Sequence, residues 1–341
     1  MSAKHDLSLI RRAILIFLVL PFSLTSCKST SGTVTATQLK DAAPTLPQPT
    51  EVKPPEPTAI PPTTTPEPTQ VPTEETGPVA LPAEPQHVEF QAEDGKNLVG
   101  YYYPAGVNPA PAVILMHWAG GDQRDWLAIA PWLQNRPEEL ATFPGWEAGI
   151  GAECREQLMG PWLDPSWFPP ALKDVSFAIF TFDFRDFCES EAGLENPEGW
   201  LLDAVAAFKT VSGLPGVDPD QIVAIGASIG ADAAPDGCSE FIVGGGVCLG
   251  GFSLSPGSYL GIPYDEVVTQ LDEEEIPVWC LAAKGDPPSA FTCLSASGEH
   301  YQTTMYEGEE HGMMLIKPEL VPNPLALILE FLEEAFGIET E

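Results

Sequence analysis

The chain has 341 residues, and 49 acidic against 15 basic side chains give it a formal net charge of −34. So acidic a surface repels nucleic acid and anionic lipid headgroups, which argues against both as partners. From residue 87 onward there are 41 acidic and 9 basic residues in 255 positions, a length that suits one large α/β domain with a substantial core.

The first segment, residues 1–27, reads as an export signal. Lys4, Arg11 and Arg12 precede an apolar run from Ala13 to Leu24, and small residues follow. The run is too short for a membrane span, which needs about 20 apolar residues. Leu24-Thr25-Ser26-Cys27 resembles the lipobox of bacterial lipoproteins. That resemblance implies acylation of Cys27 and a lipid anchor on an extracytoplasmic membrane face; a plain secretory signal with a chance cysteine is the alternative. Residues 28–86 read as a disordered linker. No Phe, Trp or Tyr occurs between Ser29 and Gln86, and residues 41–85 hold 14 prolines and 9 threonines. Such a segment lacks the apolar surface to offset its ordering entropy and behaves as a semi-extended spacer.

The remaining segment, 87–341, alternates strands and helices. Val88–Phe90 and Leu98–Tyr103 flank Asp94-Gly95, a hairpin signal. Ala112–Met116 and Phe177–Phe182 are continuous apolar runs, as in strands buried on both faces. Asp122–Leu133 reads as a helix with Asp122 as its N-cap, and Trp200–Phe208 as another. Gln221–Ile225 is a strand, with a helix from Ala231 onward. Val247–Phe252, Pro277–Ala282 and Thr303–Tyr306 are later strands, and Leu325–Phe336 closes the chain as an amphipathic helix. The pattern predicts a mostly parallel sheet with helices on both faces. Residues 135–171 are irregular. Six of the eight tryptophans lie between 118 and 167, so this insertion reads either as an aromatic wall of a site or as a satellite core.

The chemistry centres on Gly226-Ala227-Ser228-Ile229-Gly230, placed where a strand passes into a helix. The run reads as a nucleophile elbow, in which the turn pushes the Ser228 hydroxyl out of the sheet and glycines are needed where the backbone folds so tightly; an ordinary strand-to-helix loop is the alternative. Serine needs a base, and His311 lies in the loop between the last strand and the last helix, in the order Ser…Asp…His. His300 competes less well, because it precedes a strand. Asp286, just past a late strand, is the acid that orients the imidazole; its competing reading is a helix N-cap, since Pro287 follows. Asp272 to Glu275 are weaker alternatives for the acid and read as a solvated charge run. The oxyanion donors are the amides of Ile229 and of Trp118, in the loop after the Met116 strand, and His117 reads as a structural loop residue.

Together these positions resemble the α/β-hydrolase family, in particular its dienelactone-hydrolase-like and small serine esterase members. Asp183-Phe184-Arg185-Asp186-Phe187-Cys188-Glu189-Ser190 is similar to the family's D-x-R-G-x-G-x-S turn, and Val217-Asp218-Pro219-Asp220 to the turn before its elbow strand. The sequence departs from the pattern at Asp186 and Cys188, which replace glycines, and at Trp118, where glycine is usual. Dienelactone hydrolases proper use cysteine as the nucleophile, so Ser228 disfavours that substrate. The resemblance implies an α/β-hydrolase fold and a carboxylic ester hydrolase with Ser228, His311 and Asp286 as its triad. It requires no cofactor or metal. Rival readings keep the fold but make the protein a peptidase, an acyltransferase or a non-catalytic surface binding protein. The six cysteines after Cys27 allow 15 pairings, among which Cys238–Cys248 and Cys280–Cys293 are local candidates; buried free thiols are the alternative.

Overall fold

The structure is a computed structural model, and it describes residues 81–136, 154, 159–192 and 197–339. The segment read as an export signal with a lipobox-like Cys27, most of the segment read as a linker and the middle of the tryptophan-rich insertion lie outside the described residues.

Eight strands form one sheet in the order β1-β2-β4-β3-β5-β6-β7-β8. They are β1 (Gln86–Gln91), β2 (Asn97–Tyr103), β3 (Ala110–Met116), β4 (Ala178–Phe182), β5 (Val217–Ala227), β6 (Gly251–Leu254), β7 (Val278–Ala283) and β8 (Tyr301–Tyr306). The opening hairpin is antiparallel, with Gly95 at φ +87° in its turn, and β2 pairs antiparallel with β4. Every other pairing is parallel. Apolar β3 and β4 sit in the middle because both faces of a parallel sheet are covered. Ala112, Ile114 and Met116 point into one core with α2 (Pro197–Val211), α3 (Ile229–Val243), α4 (Tyr264–Glu273) and α5 (Pro287–Ser295). Val113 and Leu115 point into the other, with α1 (Ile129–Gln134) and α6 (Pro324–Phe336). The packed chain starts upstream of residue 87: Ala83 is buried and its carbonyl accepts from Gln134 Nε2.

Several expectations shift. The helix read over Asp122–Leu133 is broken into a 3-10 turn, Gln123–Trp126, and α1. Pro131 explains the break: it has no N–H for a continuous helix and its ring clashes with the preceding turn, but it fits the first turn of a new helix. Asp122 does cap, accepting from the Arg124 amide at 3.0 Å. The strand expected over Val247–Phe252 starts at Gly251, because Cys248 is tied back to Cys238 on α3. Asp272 is not part of a free charge run; it lies in the last turn of α4, whose Tyr264, Val267, Val268 and Leu271 are buried. The disulfides are Cys154–Cys188, Cys238–Cys248 and Cys280–Cys293, so both local candidates form.

One buried group stands out in α3. Both carboxyl oxygens of Asp236 are buried without a hydrogen-bond partner among the described residues. Burial, then the charges of Asp232 and Glu240, push its carboxyl up to about 9. The folded state therefore prefers it protonated. Its contribution to stability is full below about pH 4 and is lost as the pH rises toward 9. Asp236→Asn removes that loss, and we expect the variant to be more stable at pH 8 by about 1–3 kcal/mol, several degrees in Tm, with little change at pH 4. Melting curves at the two pH values check this; parallel curves for both proteins would contradict it.

Candidate active site

The C-terminal ends of the parallel strands bring the predicted residues to one place. β5 runs straight into α3 through Ser228, whose backbone sits at φ 52°, ψ −114°. That region is sparsely populated for a residue with a side chain, and strain of this kind clusters at functional sites. The flanking glycines have steric reasons. A Cβ on Gly226 would land on the Gly230 carbonyl, and one on Gly230 would strike the carbonyl oxygens of Met116 and His117. α3 begins at Ile229, two residues earlier than expected, so its first free amides lie beside the serine.

His311 follows β8, and its Nε2 lies 2.9 Å from Ser228 Oγ. Its Nδ1 lies 2.7 Å from Asp286 Oδ2. A carboxylate only accepts, so Nδ1 carries the proton and Nε2 is left to accept from the Ser228 hydroxyl. Asp286 does occupy the N-cap position of α5, yet its side chain makes no capping bond and is directed to His311 instead. His300 and Asp272, the weaker alternatives, pair with each other at 3.2 Å.

The amides of Ile229 and Trp118 have no hydrogen-bond partner among the described residues. The Trp118 carbonyl is held by the Gly121 amide at 3.2 Å and by His117 Nδ1 at 2.8 Å. His117 Nε2 accepts from the Phe184 amide at 3.0 Å, so this buried imidazole has a structural role, as expected. The Trp118 indole donates to Asp125 Oδ2 at 2.8 Å, and burial holds the Asp125 carboxyl up at about 6.

The D-x-R turn supports the loop from below. Buried Asp183 accepts from the Gln123 amide at 2.9 Å and from its side chain at 2.8 Å; burial pushes its carboxyl up to about 8. Arg185 bridges Asp203 at 2.7 Å and Asp94 at 2.6 Å. Asp186 and Cys188 adopt φ of 70° and 38°. Positive φ is what a glycine supplies at no steric cost; aspartate tolerates it, and Cys188 is fixed there by its disulfide to Cys154.

Three contributors were missed in the sequence, all tied to the loop after β6. Ser255 Oγ accepts from the Gly312 amide at 3.0 Å, next to His311. The Tyr259 ring stands edge-on to the His311 ring, centroids 6.3 Å apart. Asp232, one turn after Ser228, accepts from the amides of Gly257, Ser258 and Tyr259 at 3.1, 3.1 and 2.5 Å and so fixes that loop. Its place at the C-terminal end of a parallel strand was the signal available. Among the described residues, the cluster with metal-ligand spacing is Asp122, Cys154 and Cys188, and the disulfide leaves it no thiolate.

An eight-stranded, mostly parallel sheet, a nucleophile elbow after β5 and the order Ser228, Asp286, His311 define an α/β-hydrolase fold. No protein-family model matches the chain. It is similar to the uncharacterized protein YfhR of Salmonella typhi, 26% identical over 155 residues, which cover 44% of this chain and 39% of that protein. YfhR of Escherichia coli K12 is 27% identical over 145 residues, covering 42% and 38%. The chain thus spans about two-fifths of the length of these curated relatives. Among solved structures, DcsB in complex with its substrate analogue has a TM-score of 0.50 at 13% identity, covering 74% of this chain and 100% of that one. The esterase Pf2001 of Pyrococcus furiosus has a TM-score of 0.48 at 16% identity, covering 74% and 94%.

Proposed function

We propose that the protein is a serine hydrolase acting on small-molecule carboxylic esters. The observation that carries this reading is the unbroken hydrogen-bond chain from Ser228 Oγ through His311 to Asp286. Ser228 attacks the ester carbonyl as His311 Nε2 takes its proton. Asp286 holds the tautomer and stabilises the imidazolium. The amides of Ile229 and Trp118 receive the oxyanion, and His311 returns the proton to the leaving alcohol. Water then attacks the acyl-enzyme by the same route, with no metal or cofactor in any step. The test is hydrolysis of p-nitrophenyl acetate and butyrate by the full chain beside Ser228→Ala. Equal turnover by the two proteins would overturn the reading.

We place this activity outside the cytoplasm, on a membrane, through acylation of Cys27 and the proline-rich spacer. The lipobox-like Leu24-Thr25-Ser26-Cys27 motif after a short apolar run supports that placement. Two or more acyl chains suffice for stable attachment. Cys27→Ser is expected to move the protein from the membrane to the soluble fraction on cell fractionation; a variant that stays with the membrane would contradict the anchor.

A further inference from the structure

We infer that Asp125 is a positioning residue for the oxyanion loop, acting through the Trp118 indole and tying that loop to the end of the tryptophan-rich insertion. This deepens the hydrolase reading and rests on the oxyanion role assigned there to the Trp118 amide.

Asp125 is fully buried in the 3-10 turn after the loop. Its Oδ2 accepts from the Trp118 indole at 2.8 Å, and its Oδ1 lies 3.4 Å from the Trp162 indole nitrogen. Trp162 lies in the 3-10 turn Pro161–Leu163, where the insertion returns to the fold, and its ring stands edge-on to Trp118 at 6.2 Å. One carboxylate therefore faces two buried indole N–H groups from two separate segments. Each of those donors needs an acceptor once it leaves water. An ionised carboxylate has an oxygen for each; an amide in its place has one acceptor and would turn N–H toward the second indole.

The clamp reaches the catalytic base as well. A Cβ on Gly121 would collide with the Asp125 carboxylate and the Trp118 indole nitrogen, so the loop closes directly over this bond. A Cβ on Gly312 would press on the Trp118 ring, 2.8 Å from Cε3. The indole thus lies against the backbone beside His311. With its carbonyl held by His117 and Gly121 and its ring held by Asp125 and Gly312, Trp118 has little freedom to rotate its amide away from Ser228. Trp118 stands where a smaller residue would leave the loop to hold itself. The bulky ring makes the loop's position depend on Asp125 and Trp162.

An oxyanion donor acts in the transition state, so a misplaced one lowers kcat and leaves KM nearly unchanged. The experiment is p-nitrophenyl butyrate kinetics on the full chain for Asp125→Asn, Trp118→Phe and the double variant. Each single change is expected to lower kcat by about 10-fold to 100-fold with KM within about 3-fold. The double variant is expected to lose little more than the worse single one, because both break the same bond. Additive losses, or a folded Trp118→Phe protein with wild-type kcat, would overturn the inference. Trp118→Phe leaves the carboxylate intact with Trp162 still beside it, so it decides the matter even where Asp125→Asn fails to fold. Absence of Ser228-dependent turnover in the parent would instead overturn the hydrolase reading, and this inference with it.

Discussion

Ser228→Ala is expected to lower kcat for p-nitrophenyl esters by about 10⁴-fold or more in a protein that still folds. Ser228 is the hydroxyl in contact with His311 Nε2, and it sits on the turn that aims it out of the sheet. Removing the hydroxyl leaves the base with no proton to take. Catalysis then falls back on water attack assisted by the oxyanion amides alone, a residual effect of about 10³–10⁴ over the uncatalysed rate in comparable sites. The fold has no reason to fail. Alanine at φ 52° is no more strained than serine, and the serine side chain makes no capping bond to α3. Melting temperatures within a few degrees of each other would separate lost chemistry from lost structure.

Asp286→Asn is expected to cost about 10³–10⁴ in kcat, although it removes a single charge. The carboxylate accepts the Nδ1 proton of His311 at 2.7 Å. An asparagine amide can instead donate to Nδ1. The imidazole then carries its proton on Nε2 and cannot accept from Ser228. The helix start is insulated from this change, because the Asp286 side chain does not cap α5 and asparagine is itself a good N-cap residue. His300→Ala is the matched control. That histidine pairs with Asp272 and has no contact with Ser228, so its loss is expected to leave kcat unchanged. A large effect at His300 with a small one at Asp286 would move the base to the wrong loop.

The sheet and the placing of Ser228, His311 and Asp286 side by side were legible in the sequence because each rests on a short-range rule. Apolar runs such as Ala112–Met116 mark strands covered on both faces, and glycines at 226 and 230 mark a turn with no room for a side chain. Chain order then makes His311 the candidate base. Other parts depend on contacts that spacing does not reveal. Pro131 breaks a pattern that otherwise looks helical, since the apolar positions keep their period across it. Asp125 and Asp232 are ordinary acidic residues in sequence; their roles come from facing Trp118 and the 257–259 amides in space. Asp186 and Cys188 look like departures from a glycine pattern, yet they hold the same positive φ, one by the tolerance of aspartate and one through a disulfide partner 34 residues away.

Fluorophosphonate labelling of the full chain tests most directly whether His311 activates Ser228. Such a reagent bonds to a serine whose proton is taken by a neighbouring base and whose oxyanion site can hold the phosphoryl oxygen. One covalent adduct per chain is expected, located by peptide mapping at Ser228, absent in Ser228→Ala and strongly slowed in His311→Ala. An unlabelled wild-type protein, or an adduct at another serine, would contradict it.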